Sequence, residues 1–197
     1  VALFRSLFRG REDVYPRRFK SKRTGKSGFQ PVCRNEWIRP ICQKPKIKCG
    51  DCENRDFIPL SDVVIRNHLI GIDPTDRYQR EFVIGVYPML LDETCRFIAV
   101  DFDKEEWKEN SKAYLETCEK FNVPAVLERS RSGNGGHIWI FFSEPIPAKL
   151  ARQLGAFMLT RTMETRPEMG FRSYDRFFPS QDALPRGGFG SLIALPL

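Results

Sequence analysis

The spacing of apolar side chains changes period several times along this chain. Residues 1–8 carry them at positions 1, 3, 4, 7 and 8, the stripe of a short amphipathic helix. The segment GREDVYPRRFKSKRTGKSGFQP (10–31) has no such stripe and reads as loop. SDVVIRNHLIG (61–71) predicts a helix with a Ser cap and a terminal Gly, and FVIGVYPMLL (82–91) predicts a strand. LLDET then turns into RFIAVDFD (96–103), a second strand. Residues 104–121 return to helical spacing, with Trp107, Tyr114, Leu115, Cys118 and Phe121 on one stripe. AVLERS (125–130) and HIWIFF (137–142) are strands either side of the glycine-rich RSGNGG (131–136). Pro145 and Pro147 end the second of these, a helix over 148–166 turns Leu150, Leu154, Phe157 and Met158 inward, and FRSYDRFF (171–178) closes the series as a strand.

From residue 96 onward the order is βαββαβ. That predicts an α/β (α+β) class with a split-βαβ, ferredoxin-like and RRM-like core whose sheet order is 4-1-3-2. Neighbouring strands are then antiparallel, so the end of the first strand lies beside the starts of the third and fourth. Alternation puts Ile98, Val100 and Phe102 on one face of the first strand and Phe97, Ala99, Asp101 and Asp103 on the other. His137 begins the third strand, sharing a face with Trp139, and Asp175 sits near the middle of the fourth. Three carboxylates and one histidine should therefore converge on an open sheet face.

Charge adds a second feature. Residues 1–32 hold nine basic side chains against Glu12 and Asp13, a surplus that equals the whole chain's formal net charge of +7. A basic arm on a neutral body suits a polyanion partner, with Arg11, Arg17, Arg18 and Lys20 as candidate nucleic-acid contacts. A plain solvated basic tail is the competing reading. Tyr15 and Phe19, interleaved with these charges, favour nucleic acid because aromatic rings stack on bases. The chain lacks an initiating Met and ends in the apolar run SLIALPL, as a piece of a longer protein would. No apolar run approaches the roughly 20 residues of a membrane span and no signal peptide is visible, so a cytoplasmic location without membrane contact is expected.

Cys33, Cys42, Cys49 and Cys52 lie within twenty residues, the last two in a CxxC knuckle. This spacing predicts a structural zinc site, with disulfides as the alternative that a reducing compartment disfavours. Cys95 and Cys118 stand apart as small buried apolar groups, and His68 reads as a hydrogen-bonded structural side chain or a spare ligand. The expected division is an arm at 1–32, a four-cysteine module at 33–60 and a core at 61–197.

Asp101 and Asp103 alone are a weak signal, since an acidic turn in water looks the same. With a third carboxylate they suit two Mg²⁺ or Mn²⁺ ions clamping the oxygens of an in-line phosphoryl displacement. The loop ending in His137 brings glycines that let phosphate approach the backbone, among them Gly135, and the hydroxyls of Ser130 and Ser132, while Arg129 and Arg131 add charge. PRGGFG (185–190) offers Arg186 as a second phosphate contact, or is simply a turn.

The three segments IAVDFD, SRSGNGGHIWIF and SYDRFFPSQD resemble the motifs of the archaeo-eukaryotic primase superfamily. More particularly, the cysteine cluster followed by HLIG, and the closing run from Ser173 to Leu197, resemble the primase-polymerase domains of bacterial TOTE conflict systems and the related CRISPR-associated primase-polymerases. The resemblance covers nearly the whole chain. It implies metal binding by Asp101, Asp103 and Asp175, with Asp182 nearby as a competitor for the third place. It also implies contact of His137, helped by Ser132, with the phosphates of an incoming NTP or dNTP. The expected activity is template-directed nucleotidyl transfer on a DNA or RNA template-primer, starting and extending chains, alongside helicase or other conflict-system domains. A template-independent cyclase or oligonucleotide synthetase, and a non-catalytic RNA-binding sheet stacking bases on Trp139, are the alternatives.

Overall fold

The computed structural model describes residues 1–78, 80–103, 105–169 and 176–197. The strand β4 (Thr94–Asp103) runs through its centre, antiparallel to β6 (Gly135–Pro147) on one side and to β7 (Arg176–Phe178) on the other. β5 (Val126–Arg129) pairs with the outer edge of β6, giving the order β5-β6-β4-β7, which is the order predicted from the alternation of elements. Cys95 and every residue from Phe97 to Val100 are buried, because a central strand covered on both faces must be apolar on both.

One face belongs to the helices. Ile98, Val100 and Phe102 of β4 and Ile138 and Ile140 of β6 pack against α3 (Trp107–Lys120) and α4 (Ala148–Thr165). α4 meets the sheet through small side chains, Ala148, Ala151 and Gly155, together with Met158 and Leu159. A Cβ on Gly155 would lie 2.8 Å from the Phe177 ring and 2.9 Å from Ile98, so only glycine fits there. Leu150 and Phe157, expected to face inward, are 53% and 41% exposed. The helix is rotated so that its small residues, rather than its large ones, bring it close to the strands.

The opposite face is not open. Phe97, Ala99, Trp139 and Phe178 are buried under Tyr15, Leu60, Ile65, Phe82, Ile84, Val86, Ile193 and Leu195. Phe8, just beyond α1 (Ala2–Leu7), packs edge-on against Trp139 at 4.9 Å. Burial of this kind contributes about 1.5–3 kcal/mol per large apolar side chain. The amino-terminal segment, together with residues 82–86 and 193–195, thus forms the second half of the core over this face.

Two local expectations also change. Residues 10–31 hold an antiparallel hairpin, β1 (Pro16–Lys20) and β2 (Ser27–Pro31), where a loop was read. Its turn closes through Ser21 N–H to Lys26 O (2.8 Å) with Gly25 at φ +70°, and Phe19 lies across from Gly28. The apolar stretch 82–91 is strand only at β3 (Gly85–Val86), which pairs with β8 (Ile193–Ala194). His68, on α2 (Asp62–Leu69), ties these together. Its Nδ1 accepts from Ile84 N–H at 3.3 Å and its Nε2 donates to Pro196 O at 2.9 Å, the neutral structural histidine that was one of the two expectations. Among the described residues no helix is long and apolar enough to cross a membrane.

Candidate active site

Asp101 and Asp103 end β4, both half-buried. Register places Asp101 between His137 on β6 and Arg176 on β7, and Asp103 opposite Gly135. Gly135 is there because a Cβ would stand 2.6 Å from Asp103 Oδ1 and 2.9 Å from Phe102 O. Gly136 has a similar constraint, since a Cβ would meet the Trp107 ring at 2.9 Å. Two of the loop's glycines therefore serve close packing beneath the acidic pair.

His137 Nε2 lies 3.6 Å from Asp101 Oδ1, and its Nδ1 lies 2.9 Å from Glu128 Oε2. A carboxylate oxygen accepts, so Nδ1 carries the hydrogen. The same Glu128 oxygen accepts the indole N–H of Trp139 at 3.0 Å. Burial disfavours the charged imidazole, but the Glu128 hydrogen bond and the charges of Glu128, Asp101 and Asp103 outweigh it and raise the His137 pKa above its ordinary value. A line of order thus runs from the buried Trp139 through Glu128 to His137. Glu128 escaped the sequence analysis. Pairing AVLERS with HIWIFF as a hairpin would have set it opposite His137, where the structure has it.

The loop between β5 and β6 is held by its own groups. Ser130 N–H bonds Gly135 O (2.9 Å), Gly133 N–H bonds Ser130 O (2.8 Å), and Asn134 N–H bonds Ser132 Oγ (3.2 Å). The Ser130 and Ser132 hydroxyls are 3.0 Å apart, and Arg129 grips Gly133 O through Nε and Nη2 at 3.1 and 2.9 Å. Arg131 reaches out to Glu81, whose other oxygen pairs with Arg18 of the hairpin.

Several expected site residues lie elsewhere. Asp182 pairs with Arg152 Nε of α4 at 3.3 Å, two residues before Leu184, whose N–H bonds Glu93 just before β4, at the end opposite Asp101. Asp175 lies outside the described residues; Arg176, which follows it, is the register partner of Asp101. The loop carrying Arg186 docks on the cysteine segment: a Cβ on Gly50 would come within 2.4 Å of Gly187 O, and Phe189 stacks on Tyr87 at 5.1 Å. Neither Arg152, the partner of Asp182, nor the cysteine segment that receives the Arg186 loop is on the strand ends beside Asp101. Arg11 is buried, donates Nε to Asp13 Oδ1 at 2.9 Å and sits over Phe189, so it is committed to the fold. Tyr15 is buried as well. Arg17, Arg18 and Lys20 remain on the hairpin surface, half-buried to exposed.

The four cysteines Cys33, Cys42, Cys49 and Cys52 line one small cavity of about 20 Å³. The chain on either side is clamped by Arg34 N–H to Asp56 O (2.8 Å) and Ile58 N–H to Val32 O (3.1 Å), and Asp56 N–H points at Cys33 Sγ (3.4 Å). Their soft donors suit zinc, and all four thiols are free. Among the described residues, however, no group of three or more His, Cys, Asp and Glu side chains is arranged to hold a metal ion. The acidic site contributes two hard-oxygen donors from the described residues, Asp101 and Asp103.

Fold and site together define an α/β domain with an acid–histidine cluster at one end of an antiparallel sheet. The chain belongs to the archaeo-eukaryotic primase domain family of TOTE conflict systems, whose family model matches residues 1–197. A comparison with curated proteins finds no match. Family membership supports a primase-like nucleotidyltransferase function in general terms and nucleic-acid and nucleotide substrates.

Proposed function

We propose that this domain is a primase-polymerase that joins NTPs or dNTPs on a DNA or RNA template-primer, built on a ferredoxin-like, RRM-like palm. The observation that carries this reading is Asp101 paired across β4 and β6 with His137, one step from Asp103 and Gly135 and beside the Ser130–Ser132 loop. Asp101, Asp103 and Asp175 would hold Mg²⁺ or Mn²⁺. Such ions, when bound, lower the pKa of an attacking 3′-hydroxyl and neutralise charge at the α-phosphate.

The protein's own groups orient the nucleotide. With Nδ1 held by Glu128, His137 in its cationic form presents Nε2–H toward a phosphate oxygen. The Ser130 and Ser132 hydroxyls donate beside it. The internal hydrogen bonds of the loop keep these donors in place before the substrate arrives, which lowers the ordering cost of binding. Arg186 is left out, because its loop is docked on the cysteine segment. The four cysteines would hold a structural zinc ion, and the basic hairpin would hold template or primer. Base stacking on Trp139 finds no support, since that ring is 1% exposed.

Incorporation of labelled nucleotides on a defined template tests the reading. Product should require template, and Asp101→Ala with Asp103→Ala should abolish it. Unchanged incorporation by the double variant overturns the assignment, and equal product without template favours a cyclase or oligonucleotide synthetase.

A further inference from the structure

A lysine lies inside the cysteine cavity. Lys44 lines it together with Glu36 and the four thiols, and its side chain is only 15% exposed. An ammonium group taken out of water is costly unless anionic or polar partners meet it. Lys44 Nζ donates to Glu36 Oε1 at 2.8 Å and to Gln30 Oε1 of β2 at 3.4 Å, and it also hydrogen-bonds the Cys49 thiol. The Trp37 ring lies beside it, with its centroid 5.8 Å away. Glu36 and Gln30 are enough to satisfy the ammonium as a structural group. The contact to sulfur is additional.

Other sulfurs of the set meet donors as well. Asp56 N–H points at Cys33 Sγ (3.4 Å), and the backbone N–H groups of Trp37 and Lys44 point at Cys42 Sγ, with Trp37 at φ +62°. A neutral thiol is a weak acceptor, whereas a charged acceptor makes much stronger hydrogen bonds. Donors gathered on Cys33, Cys42 and Cys49 therefore suit sulfurs that are anionic because they hold a metal. Four thiolates around a divalent ion keep a net negative charge, and the Glu36 carboxylate at the same cavity adds to it. Lys44 bonds both Glu36 and Cys49, so its charge screens one from the other.

We propose that Lys44 is a positioning and charge-balancing partner of a zinc–thiolate site, its ammonium donating to the Cys49 sulfur while Glu36 and Gln30 aim it. The role rests on the zinc reading of the four cysteines. An N–H···S bond draws charge from the sulfur and fixes the direction of its side chain, so the metal is held more tightly and released more slowly. Through Gln30 the same ammonium ties the cysteine site to β2.

Competition for zinc between the loaded whole chain and a chromophoric chelator, followed by absorbance, tests this. Lys44→Met should lower zinc affinity about 10- to 100-fold, the usual cost of losing an outer partner of a metal ligand, and Lys44→Arg should lose less because it keeps a cationic donor. Glu36→Gln, alone and with Lys44→Met, repeats the comparison without an orphaned carboxylate; the double variant should still hold zinc more weakly than Glu36→Gln. Lys46→Met removes the same charge from an exposed position nearby and should hold zinc as the wild type does. With cobalt in place of zinc, the sulfur-to-metal charge-transfer band of Lys44→Met should move to lower energy, because a sulfur without its donor gives up an electron more easily. Circular dichroism checks that each variant is folded. Wild-type affinity in folded Lys44→Met, or an equal loss in Lys46→Met, overturns the proposal. A wild type that binds no zinc overturns the zinc reading and the role of Lys44 with it; a wild type and a Lys44→Met that bind zinc equally well overturn only the role of Lys44.

Discussion

Glu128 and His137 face each other across β5 and β6, with 2.9 Å between Oε2 and Nδ1. The carboxylate fixes which imidazole nitrogen carries hydrogen and which way the other points, so a residue absent from every recognisable motif governs one that is in a motif. Glu128→Ala leaves the His137 and Trp139 donors without their acceptor. A stability loss of about 1–3 kcal/mol is expected in urea unfolding, and less for Glu128→Gln, which keeps a carbonyl acceptor. Nucleotide incorporation should fall about 10- to 100-fold in Glu128→Ala, the usual cost of removing a partner that orients a site ligand.

Gly135→Ala should damage stability and site together. The added methyl meets Phe102 O at 2.9 Å, a backbone atom that cannot swing away, and Asp103 Oδ1 at 2.6 Å, which must. Overpacking of this kind costs about 1–3 kcal/mol. Thermal unfolding reads the first effect, and incorporation by the folded fraction reads the second.

His68 gives the fold a pH dependence of known sign. Burial lowers its pKa in the folded state, partly offset by the hydrogen bond to Pro196 O. As pH falls through the ordinary imidazole range the unfolded chain takes up a proton before the folded one does, so stability is full above that range and declines below it. Protonation of Nδ1 would also remove the acceptor of Ile84 N–H. Between pH 7.5 and 5.5 the wild-type urea midpoint should fall relative to that of His68→Gln, a difference in which the opposite contribution of His137, whose pKa is raised, cancels.

The zinc proposal predicts one bound zinc per chain by elemental analysis. Cys42→Ser, at the buried member of the set, should lower that content and expose residues 34–56 to protease. A chain purified without added metal that contains no zinc and resists protease equally would overturn it.

Much of this was legible in one dimension. The period changes in residues 96–178 give the element types, and the βαββαβ order allows few sheet topologies, so the neighbours of Asp101 follow from chain order. Alternation likewise sorted Ile98, Val100 and Phe102 from Phe97 and Ala99. What periodicity could not give is what lies on top of the second face. Phe97 and Trp139 look the same in sequence whether they meet solvent or Phe8. Only the tertiary structure puts the amino-terminal segment there, because that contact joins residues more than a hundred positions apart. For the same reason Arg11, Arg17 and Lys20 read alike as basic residues, and only packing separates the one paired with Asp13 from the two at the surface. The helix rotation that buries Ala151 and Gly155 instead of Leu150 is also a tertiary decision, since backbone approach to Ile98 and Phe177 outweighs the size of the side chain. The acidic pair and its histidine were written in the chain; the cover over Phe97, Ala99 and Trp139 beside them was decided by the fold.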